Sequence, residues 1–332
     1  MTRLGFGGAA IGNLYRPVSE AEAAEAIDTA WAGGVRYFDT APHYGFGLGE
    51  QRLGAALARL DPGATAVVST KVGRLLKPID PNAASGERHG FVDAPAFEPE
   101  FDYSHDGVLR SVESSLQRLG RDRIDILFAH DLGRVTHGEA HAARWAEFMQ
   151  GGYRALTRLR DEGVVTAIGL GANEAAVCEQ ALAEGDFDIF LLAGRYTLLE
   201  QAPIHGLMPT CEARGVAVVI GGPFNSGVLA CAAPSAEPHY DYGAPPAWVI
   251  ERVEALRAVC DRHGVELPAA ALQFPLAHPA VVSVIPGVAN PEEARQARRR
   301  AAVSLPAALW DDLRRAGLIE ASAPTPGLRA AA

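Results

Sequence analysis

The sequence predicts a single α/β domain with the (β/α)₈ barrel architecture, and three observations support that fold class. Eight short β-branched or apolar runs recur along the 332 residues, alternating with segments of helical periodicity. The runs are continuously apolar rather than alternating, which indicates a parallel sheet covered by helices. The chain length is also typical, because α/β barrels reach this size as single domains.

The eight predicted strands are spaced along the whole chain at residues 4–7, 35–39, 65–71, 124–130, 165–171, 189–193, 216–221 and 281–286. Several of the helices between them have recognisable ends. Ser19 and Glu22 form a capping box before the first helix, and Ser104 is a second candidate N-cap. Gly120 follows a helix where a left-handed residue is favoured, and Pro268 opens a short helix predicted over residues 268–278.

An open doubly wound sheet is the alternative for alternating strands and helices. Such sheets usually carry a Gly-x-Gly-x-x-Gly turn after the first strand, and Gly5-Phe6-Gly7-Gly8 lacks that spacing. We therefore expect one barrel domain over residues 1–320 and a flexible tail over 321–332. Two long connections, at 72–103 and 223–246, follow the third and seventh strands and are predicted to wall the barrel mouth.

Composition and charge exclude several classes of function. The formal net charge is −10, whereas nucleic-acid binding requires clustered excess Lys and Arg. No apolar run approaches the roughly 20 residues that span a bilayer, and the N-terminus lacks a secretory signal. The four cysteines form neither a Cys-x-x-Cys pair nor a zinc pattern. We expect a cytoplasmic enzyme whose partner is a small molecule, with no nucleic-acid or membrane partner and an oligomeric state that the sequence leaves open.

Four polar side chains follow neighbouring strands of the predicted barrel. Asp39 ends the second strand and Tyr44 follows five residues later, while Lys71 ends the third strand and His130 the fourth. The C-terminal ends of barrel strands meet at one mouth, where active sites lie. The sequence therefore predicts that a carboxylate, a phenol, an amine and an imidazole converge there.

This set of residue types is suited to proton transfer. A free phenol has a pKa of about 10, and a nearby ammonium such as that of Lys71 brings it closer to neutral pH. Asp39 would hold Lys71 charged, and His130 would donate a hydrogen bond to the substrate oxygen. Hydride transfer needs no nucleophile from the protein, because a nicotinamide cofactor supplies that chemistry.

Longer motifs around these residues resemble the aldo-keto reductase superfamily. They are GVRYFDTAPHYG at 34–45, GE at 49–50, LG at 53–54, VIPG at 284–287 and NPE at 290–292, together with Lys71 and the 124–130 strand. The resemblance runs over nearly the whole chain. It implies a TIM barrel of the aldo-keto reductase type, with Asp39, Tyr44, Lys71 and His130 as the catalytic tetrad. It also implies NAD or NADP bound extended across the barrel mouth, with no metal.

The resemblance further implies where the cofactor and substrate make contact. Cofactor contacts are expected at Asp39, Asn173, Gly222, Pro223, Asn225, Gly227, Gly287, Asn290 and Glu293. Substrate contacts are expected at His43, Tyr44, His130 and Phe224. In this chain GLGAN at 169–173 replaces the family's usual Gly-Val-Ser-Asn turn, and Ala193 stands where a Gln is usual. The Tyr that normally stacks on nicotinamide is absent, so Phe224 is the candidate for that role.

These departures, with YDYGAP at 240–245, look like the aldose 1-dehydrogenase branch of the superfamily. That branch includes L-fucose, D-threo-aldose and L-galactose dehydrogenases, alongside pyridoxal 4-dehydrogenase. It implies NAD(P)-dependent oxidation of a cyclic hemiacetal, such as L-fucose, at C1 to its lactone. Oxidation of pyridoxal and generic aldehyde or ketone reduction are the alternatives. Side chains expected to wall the pocket are His43, Tyr103, Phe224, Asn225, His239, Tyr240 and Tyr242.

NAD is favoured over NADP by the residues after the eighth strand. Recognition of a ribose 2′-phosphate requires Arg or Lys donors. The stretch GVANPEE at 287–293 has no basic residue before Arg295, and it carries Glu292 and Glu293. These acids also suit a helix N-terminus, which is the purely structural interpretation.

Two other classes of function remain open from the residues alone. A metal-dependent hydrolase would use His43, His130 and Asp131, although no His-x-His pair lies on a predicted strand. A barrel that binds the cofactor without turnover, as a redox sensor or an associated subunit, is the second class. Metal analysis of the purified protein tests the first, and turnover of any aldehyde or lactol tests the second.

Overall fold

The computed structural model describes residues 1–230, 240–241 and 243–327. Within these residues, eight parallel strands form one sheet whose strand order follows the chain. The strands are β1 (Phe6–Gly7), β2 (Tyr37–Asp39), β3 (Val67–Val72), β4 (Ile126–His130), β5 (Ala167–Ala172), β6 (Ile189–Ala193), β7 (Ala217–Gly221) and β8 (Val281–Ile285). The amides of Gly5 and Gly7 donate to the carbonyls of Val284 and Pro286 at 3.0 and 2.9 Å, which joins β1 to β8 and closes the barrel.

Helices lie between the strands and cover the sheet. In chain order they are α1 (Glu20–Ala32), α2 (Leu48–Leu60), α3 (His105–Leu119), α4 (Arg134–His137), α5 (His141–Glu147), α6 (Tyr153–Asp161), α7 (Ala175–Glu184), α8 (Leu207–Arg214), α9 (Ala247–Arg262), α10 (Leu267–Gln273), α11 (Pro291–Ala302) and α12 (Ala307–Arg315). The predicted (β/α)₈ barrel is therefore confirmed, and each predicted strand lies within two residues of its observed bounds. No helix in the described part of the chain is long and apolar enough to cross a membrane.

The helix ends show which local signals decide the boundaries. Ser19 accepts from the Glu22 amide while the Glu22 carboxylate accepts from the Ser19 amide, so the predicted capping box is present. Ser104 accepts from the amide of Gly107, as an N-cap does. The helix predicted over 268–278 is shorter than expected. It ends at Gln273 because Pro275 has no N–H to continue the α-helical ladder, and a 3₁₀ turn follows.

The barrel interior is filled by side chains that alternate with those facing the helices. The inner cluster consists of Tyr37, Ile126, Phe128, Ile189, Leu191, Val219 and Ile285. A larger cluster of apolar residues lies between the strands and the helices. The two layers close the bottom and sides of the barrel, and they leave the C-terminal ends of the strands as its open mouth.

The first long connection folds into a wall beside this mouth. Strand Arg74–Pro78 pairs with strand Phe97–Phe101, and a shorter hairpin lies between them. Phe46, Phe91 and Ala94 form a separate small apolar cluster that anchors this hairpin next to the Tyr44 turn. The second long connection lies partly outside the described residues.

The C-terminal segment packs on the barrel further than the predicted tail boundary. Ala323 and Thr325 are buried, and Arg314 donates to the Ala323 carbonyl and the Thr325 hydroxyl at 3.0 and 2.9 Å. The packed part of the chain therefore reaches at least Thr325, beyond the boundary expected at residue 320. Residues 328–332 lie outside the described part.

Candidate active site

A buried ion pair lies at the mouth end of β2 and β3. The register of the two strands pairs Asp39 with Ser69, which leaves Lys71 further along β3 to reach back to the carboxylate. The Lys71 ammonium donates to Asp39 Oδ2 at 2.7 Å and to the Thr40 carbonyl at 2.9 Å, and Ser69 Oγ donates to Asp39 Oδ1 at 2.7 Å. Burial raises the pKa of Asp39, and the ammonium and the Ser69 hydroxyl oppose that rise. Both charges are thus fixed in position.

Tyr44 is held beside this pair by a tight turn. Gly45 has a φ of +60°, and a Cβ at this position would lie 2.2 Å from the Gly12 carbonyl oxygen, so only glycine fits. Lys71 Nζ lies 4.6 Å from the centre of the Tyr44 ring, and the His130 ring stands nearly perpendicular to it at 5.9 Å. The phenol therefore lies between an ammonium and an imidazole.

The imidazoles of His43 and His130 are held in the neutral form. Burial, with the nearby charges of Arg74 and Lys71, lowers the pKa of His130 well below its usual value. Burial and Arg74 lower the pKa of His43 to about 2. A proton on His130 Nδ1 would have no acceptor among the described residues, whereas Nε2 lies 3.5 Å from Asp131 Oδ2. Neutral His130 protonated on Nε2 is thus the favoured tautomer, which makes it a hydrogen-bond donor.

Two cavities meet at this cluster. The smaller one, here called the inner pocket, has a volume of about 380 Å³ and is lined by Tyr44, Lys71 and His130 among others. The larger one, here called the long groove, has a volume of about 570 Å³ and runs from Tyr44 towards α11. The residues shared by both cavities are Ala9, Leu14, Tyr44, Leu191 and Ala193. A molecule in each cavity would meet the other at the Tyr44 side chain.

The long groove has the features that a dinucleotide requires. Its glycines are Gly7, Gly8, Gly221, Gly222, Gly227 and Gly287. A Cβ on Gly222 would contact nothing within 3.6 Å and one on Gly227 nothing within 4 Å, so a ligand can approach the backbone there. The groove reaches α11 close to its N-terminus, where backbone amides favour phosphate. Its volume also lies within the roughly 300–1,000 Å³ typical of ligand sites.

The structure brings most predicted contact residues to these two cavities. Asp39, Gly222, Pro223, Phe224, Gly227, Gly287 and Glu293 line the long groove. His43, Tyr44, His130 and Asn173 line the inner pocket. Phe224 was expected to contact the substrate, but it lines only the groove, a location that suits the nicotinamide ring.

Two predicted cofactor residues have other partners. Asn225 is buried, and its Nδ2 donates to the Gly194 carbonyl at 2.9 Å and to Glu200 at 3.0 Å. Asn290 caps α11 by accepting from the Glu293 amide at 2.9 Å. Neither residue is among those that line the groove. In this structure their side chains hold a loop and start a helix, and direct cofactor contact stays a prediction for both.

The expected pocket walls are also only partly formed by the predicted residues. Tyr103 is fully buried, and its hydroxyl donates to the His130 carbonyl at 2.6 Å, so it supports the end of β4 from behind. The Tyr240 hydroxyl donates to Glu200 at 2.8 Å. His239 and Tyr242 lie outside the described residues.

Several lining residues were missed by the sequence reasoning. Arg74, His89 and Phe91 from the first long connection line the inner pocket, and so does Asp131, which the sequence suggested only as a metal ligand. Gln296 and Arg300 line the long groove, three and seven residues after Glu293 on one face of α11. Helical spacing alone could have found Arg300, because residues seven apart share a helix face.

Known proteins are similar to this chain in sequence and in fold. Residues 3–317 match the model of the Aldo/keto reductase family. Pyridoxal 4-dehydrogenase of Microbacterium luteolum is 45% identical, covering 96% of this chain and 95% of that protein. D-threo-aldose 1-dehydrogenase of a Pseudomonas species is 41% identical, covering 97% and 95%. The holo form of an aldo-keto reductase from Bacillus halodurans superposes with a TM-score of 0.72 at 24% identity, over 96% of this chain and 93% of that one, and shows the same fold.

Proposed function

Because the chain belongs to the aldo/keto reductase family, we propose that it oxidises a cyclic hemiacetal at C1 to the corresponding lactone, using NAD. Family membership makes it an oxidoreductase that uses a nicotinamide cofactor. One observation supports the proposal most strongly. Tyr44 lies beside the Lys71 ammonium and lines both the polar inner pocket and the glycine-lined long groove. It can therefore act on a substrate in the inner pocket while a cofactor occupies the groove.

The residues of the mouth divide the reaction between them. A nicotinamide cofactor bound in the long groove would accept the hydride. Tyr44 takes the proton of the anomeric hydroxyl, and the Lys71 ammonium stabilises the phenolate that must do so. Asp39 keeps Lys71 charged, and His130 donates from Nε2 to the substrate oxygen. Loss of one hydride from C1 and one proton from its hydroxyl leaves the lactone carbonyl.

A hydroxylated ring suits the inner pocket better than a simple aldehyde does. Its polar lining includes three imidazoles, one guanidinium, one carboxylate and one amide, supplied by His43, His89, His130, Arg74, Asp131 and Asn173. So many polar groups around a pocket of about 380 Å³ would find no hydrogen-bond partner in an apolar substrate. An aldose of the L-fucose configuration is therefore the first-choice substrate. This choice agrees with the name of the D-threo-aldose relative.

Pyridoxal is the second candidate, and two observations favour it. The relative at 45% identity carries the name pyridoxal 4-dehydrogenase. Phe91 and the His43 ring, 5.3 Å apart, also offer aromatic surfaces to a flat ring. Pyridoxal has a hydroxymethyl group next to its aldehyde and closes to a cyclic hemiacetal. The proposed chemistry at Tyr44 is the same for both candidates.

A substrate panel tests the proposed function. Steady-state assays with NAD on L-fucose, L-galactose, D-arabinose and pyridoxal should show efficient oxidation of at least one compound and discrimination of at least about 100-fold across the panel. Sharp discrimination is expected because sites that pair substrate hydroxyls reject analogues that misplace them. Negligible oxidation of all four, together with efficient reduction of simple aldehydes, would instead identify a generic reductase.

The preference for NAD rests on how the basic residues of α11 are paired. Arg295 and Arg299 each donate to Glu292 at 3.0 Å, and these bonds lower the pKa of Glu292 to about 2. Arg300 lines the groove, and its Nε donates to Glu266 at 3.1 Å. Glu293 adds a carboxylate to the same groove, where it would repel a 2′-phosphate.

We therefore expect kcat/KM to be at least about tenfold higher with NAD than with NADP, a difference of roughly 1.4 kcal/mol. The measurement is initial-rate kinetics with both cofactors on the best substrate of the panel. Arg300→Met should leave the NAD efficiency within about threefold, since the adenosine ribose of NAD carries no 2′-phosphate for this residue to hold. Equal efficiency with the two cofactors contradicts the assignment.

A further inference from the structure

Arg74 and Asp131 form a second charged pair in the inner pocket, and the proposed proton transfer does not use it. Arg74 begins the hairpin strand after β3, and Asp131 directly follows His130. Arg74 Nη2 donates to Asp131 Oδ2 at 2.5 Å, with 11% and 20% of the two side chains exposed. The guanidinium lies 4.6 Å over the Phe101 ring, which restricts its orientation. The pair is therefore a fixed donor and acceptor facing the pocket.

The backbone at Asp131 is held in an unfavourable conformation. Its φ is +49°, in the left-handed region that non-glycine residues rarely adopt. Its amide donates to the Gly171 carbonyl at 2.8 Å, which anchors the turn to β5. Strained residues of this kind concentrate at binding and active sites, where the structure fixes a side chain in one place.

The charges of the inner pocket balance, which indicates the kind of molecule that fits. Lys71 is paired with Asp39 and Arg74 with Asp131, while burial keeps His43 and His130 neutral. A phosphorylated or carboxylated substrate would meet no uncompensated positive charge among these groups. A neutral ligand with many hydroxyls satisfies them without bringing a charge of its own.

We infer that Arg74 and Asp131 bind two adjacent hydroxyls of the substrate ring, those on C2 and C3. This inference rests on the proposed oxidation of an aldose at C1. Among the described residues no donor is paired with Asp131 Oδ1, so that oxygen accepts from one hydroxyl while Arg74 donates to its neighbour. Asp131 is adjacent in sequence to His130, whose Nε2 donates to the C1 oxygen in the proposed reaction. Arg74 and Asp131 would therefore bind the hydroxyls nearest C1.

The competing interpretation is that the pair only fastens the hairpin to β4. Arg88 provides a matched control for that role. It lies on the same long connection and donates to the carbonyls of Ala94, Pro95 and Phe97, which holds the hairpin together. It is not among the residues that line the inner pocket. A change at Arg88 loosens the wall without removing a hydroxyl partner.

The experiment compares two sugars that differ only at C2. D-arabinose carries the C2 hydroxyl and 2-deoxy-D-ribose lacks it, with the remaining centres identical. The wild-type ratio of kcat/KM for the two sugars should be roughly 10–100, the range for a hydrogen bond to a charged group. At least one of Arg74→Met and Asp131→Asn, the variant that removes the partner of the C2 hydroxyl, should bring that ratio to within about threefold of unity. Arg88→Met should lower both efficiencies together and keep the ratio.

NADH binding, followed by fluorescence, checks that each variant is folded with an intact groove. A wild-type ratio that survives in both Arg74→Met and Asp131→Asn overturns the inference, while arabinose oxidation by the wild type leaves the proposed function standing. A wild-type ratio near unity overturns it in the same way. If the wild type oxidises neither sugar but turns over pyridoxal or reduces aldehydes, the aldose assignment itself fails and this inference fails with it.

Discussion

Tyr44→Phe is expected to lower kcat by about 10²–10⁴-fold, the usual contribution of a positioned acid or base. The substitution removes only the hydroxyl group. The ring still packs against the hairpin near Phe91 and lies beside Lys71. The long groove keeps its glycine lining and its contact with α11, so affinity for NADH should change by less than about threefold. Steady-state rates and a fluorescence titration of NADH measure the two quantities separately.

Tyr153→Phe is the matched control for this variant. Tyr153 lies on α6, away from both cavities, and its hydroxyl accepts from the Asp186 amide at 2.7 Å. Loss of this hydroxyl should leave kcat close to the wild-type value. Retention by Tyr44→Phe of more than about a tenth of wild-type turnover would show that Tyr44 is not the general base. Equal losses in the two variants would point to a general effect of removing hydroxyls on stability.

Lys71→Met should reduce turnover by at least about 10²-fold and move the pH profile of oxidation to higher pH. The sign follows from which form of Tyr44 reacts. Oxidation requires the phenolate, and the ammonium at 4.6 Å from the ring favours that form. Without the ammonium, deprotonation of the phenol requires a higher pH, and Asp39 is left as an unpaired buried carboxylate.

The control is Lys77→Met, which removes the other lysine of the sequence. Lys77 is exposed and pairs with Glu100 on the hairpin surface, so its loss should alter neither kcat nor the pH profile. The rate is measured from pH 6 to 10 for the wild type and both variants, against thermal unfolding as a check on folding. A Lys71→Met enzyme with reduced activity but an unmoved profile would restrict Lys71 to a structural role.

The strands and the catalytic cluster could be predicted from sequence because their signals are local. Each strand is a continuous apolar run, and Asp39, Lys71 and His130 lie at or next to the ends of such runs. The parallel barrel then brings these ends to one mouth without further information. The position of Tyr44 could also be predicted, because it comes only five residues after Asp39 and must lie near the same strand end.

The remaining contacts depend on tertiary geometry that no local pattern encodes. Arg74 meets Asp131 only because the hairpin returns over the mouth, and that register is set by pairing between strands 74–78 and 97–101. Asn225 and Asn290 are the opposite case. Their positions in the motifs predict cofactor contacts, whereas the partners that the structure shows are Glu200 for Asn225 Nδ2 and the first turn of α11 for Asn290. Residue type and spacing could not show which partner a polar side chain takes.

The central claim is that the enzyme oxidises the cyclic hemiacetal rather than an open-chain aldehyde, and the identity of the first product tests it most directly. L-fucose labelled with ¹³C at C1 and unlabelled pyridoxal are each incubated with NAD and the wild-type enzyme, and NMR spectra are collected from the first turnovers. We predict that the lactone carbonyl appears first, one equivalent per NADH formed, and that the open-chain acid accumulates only later by hydrolysis. Appearance of the open-chain acid from the outset without lactone, or no oxidised product from either compound, would contradict the proposal.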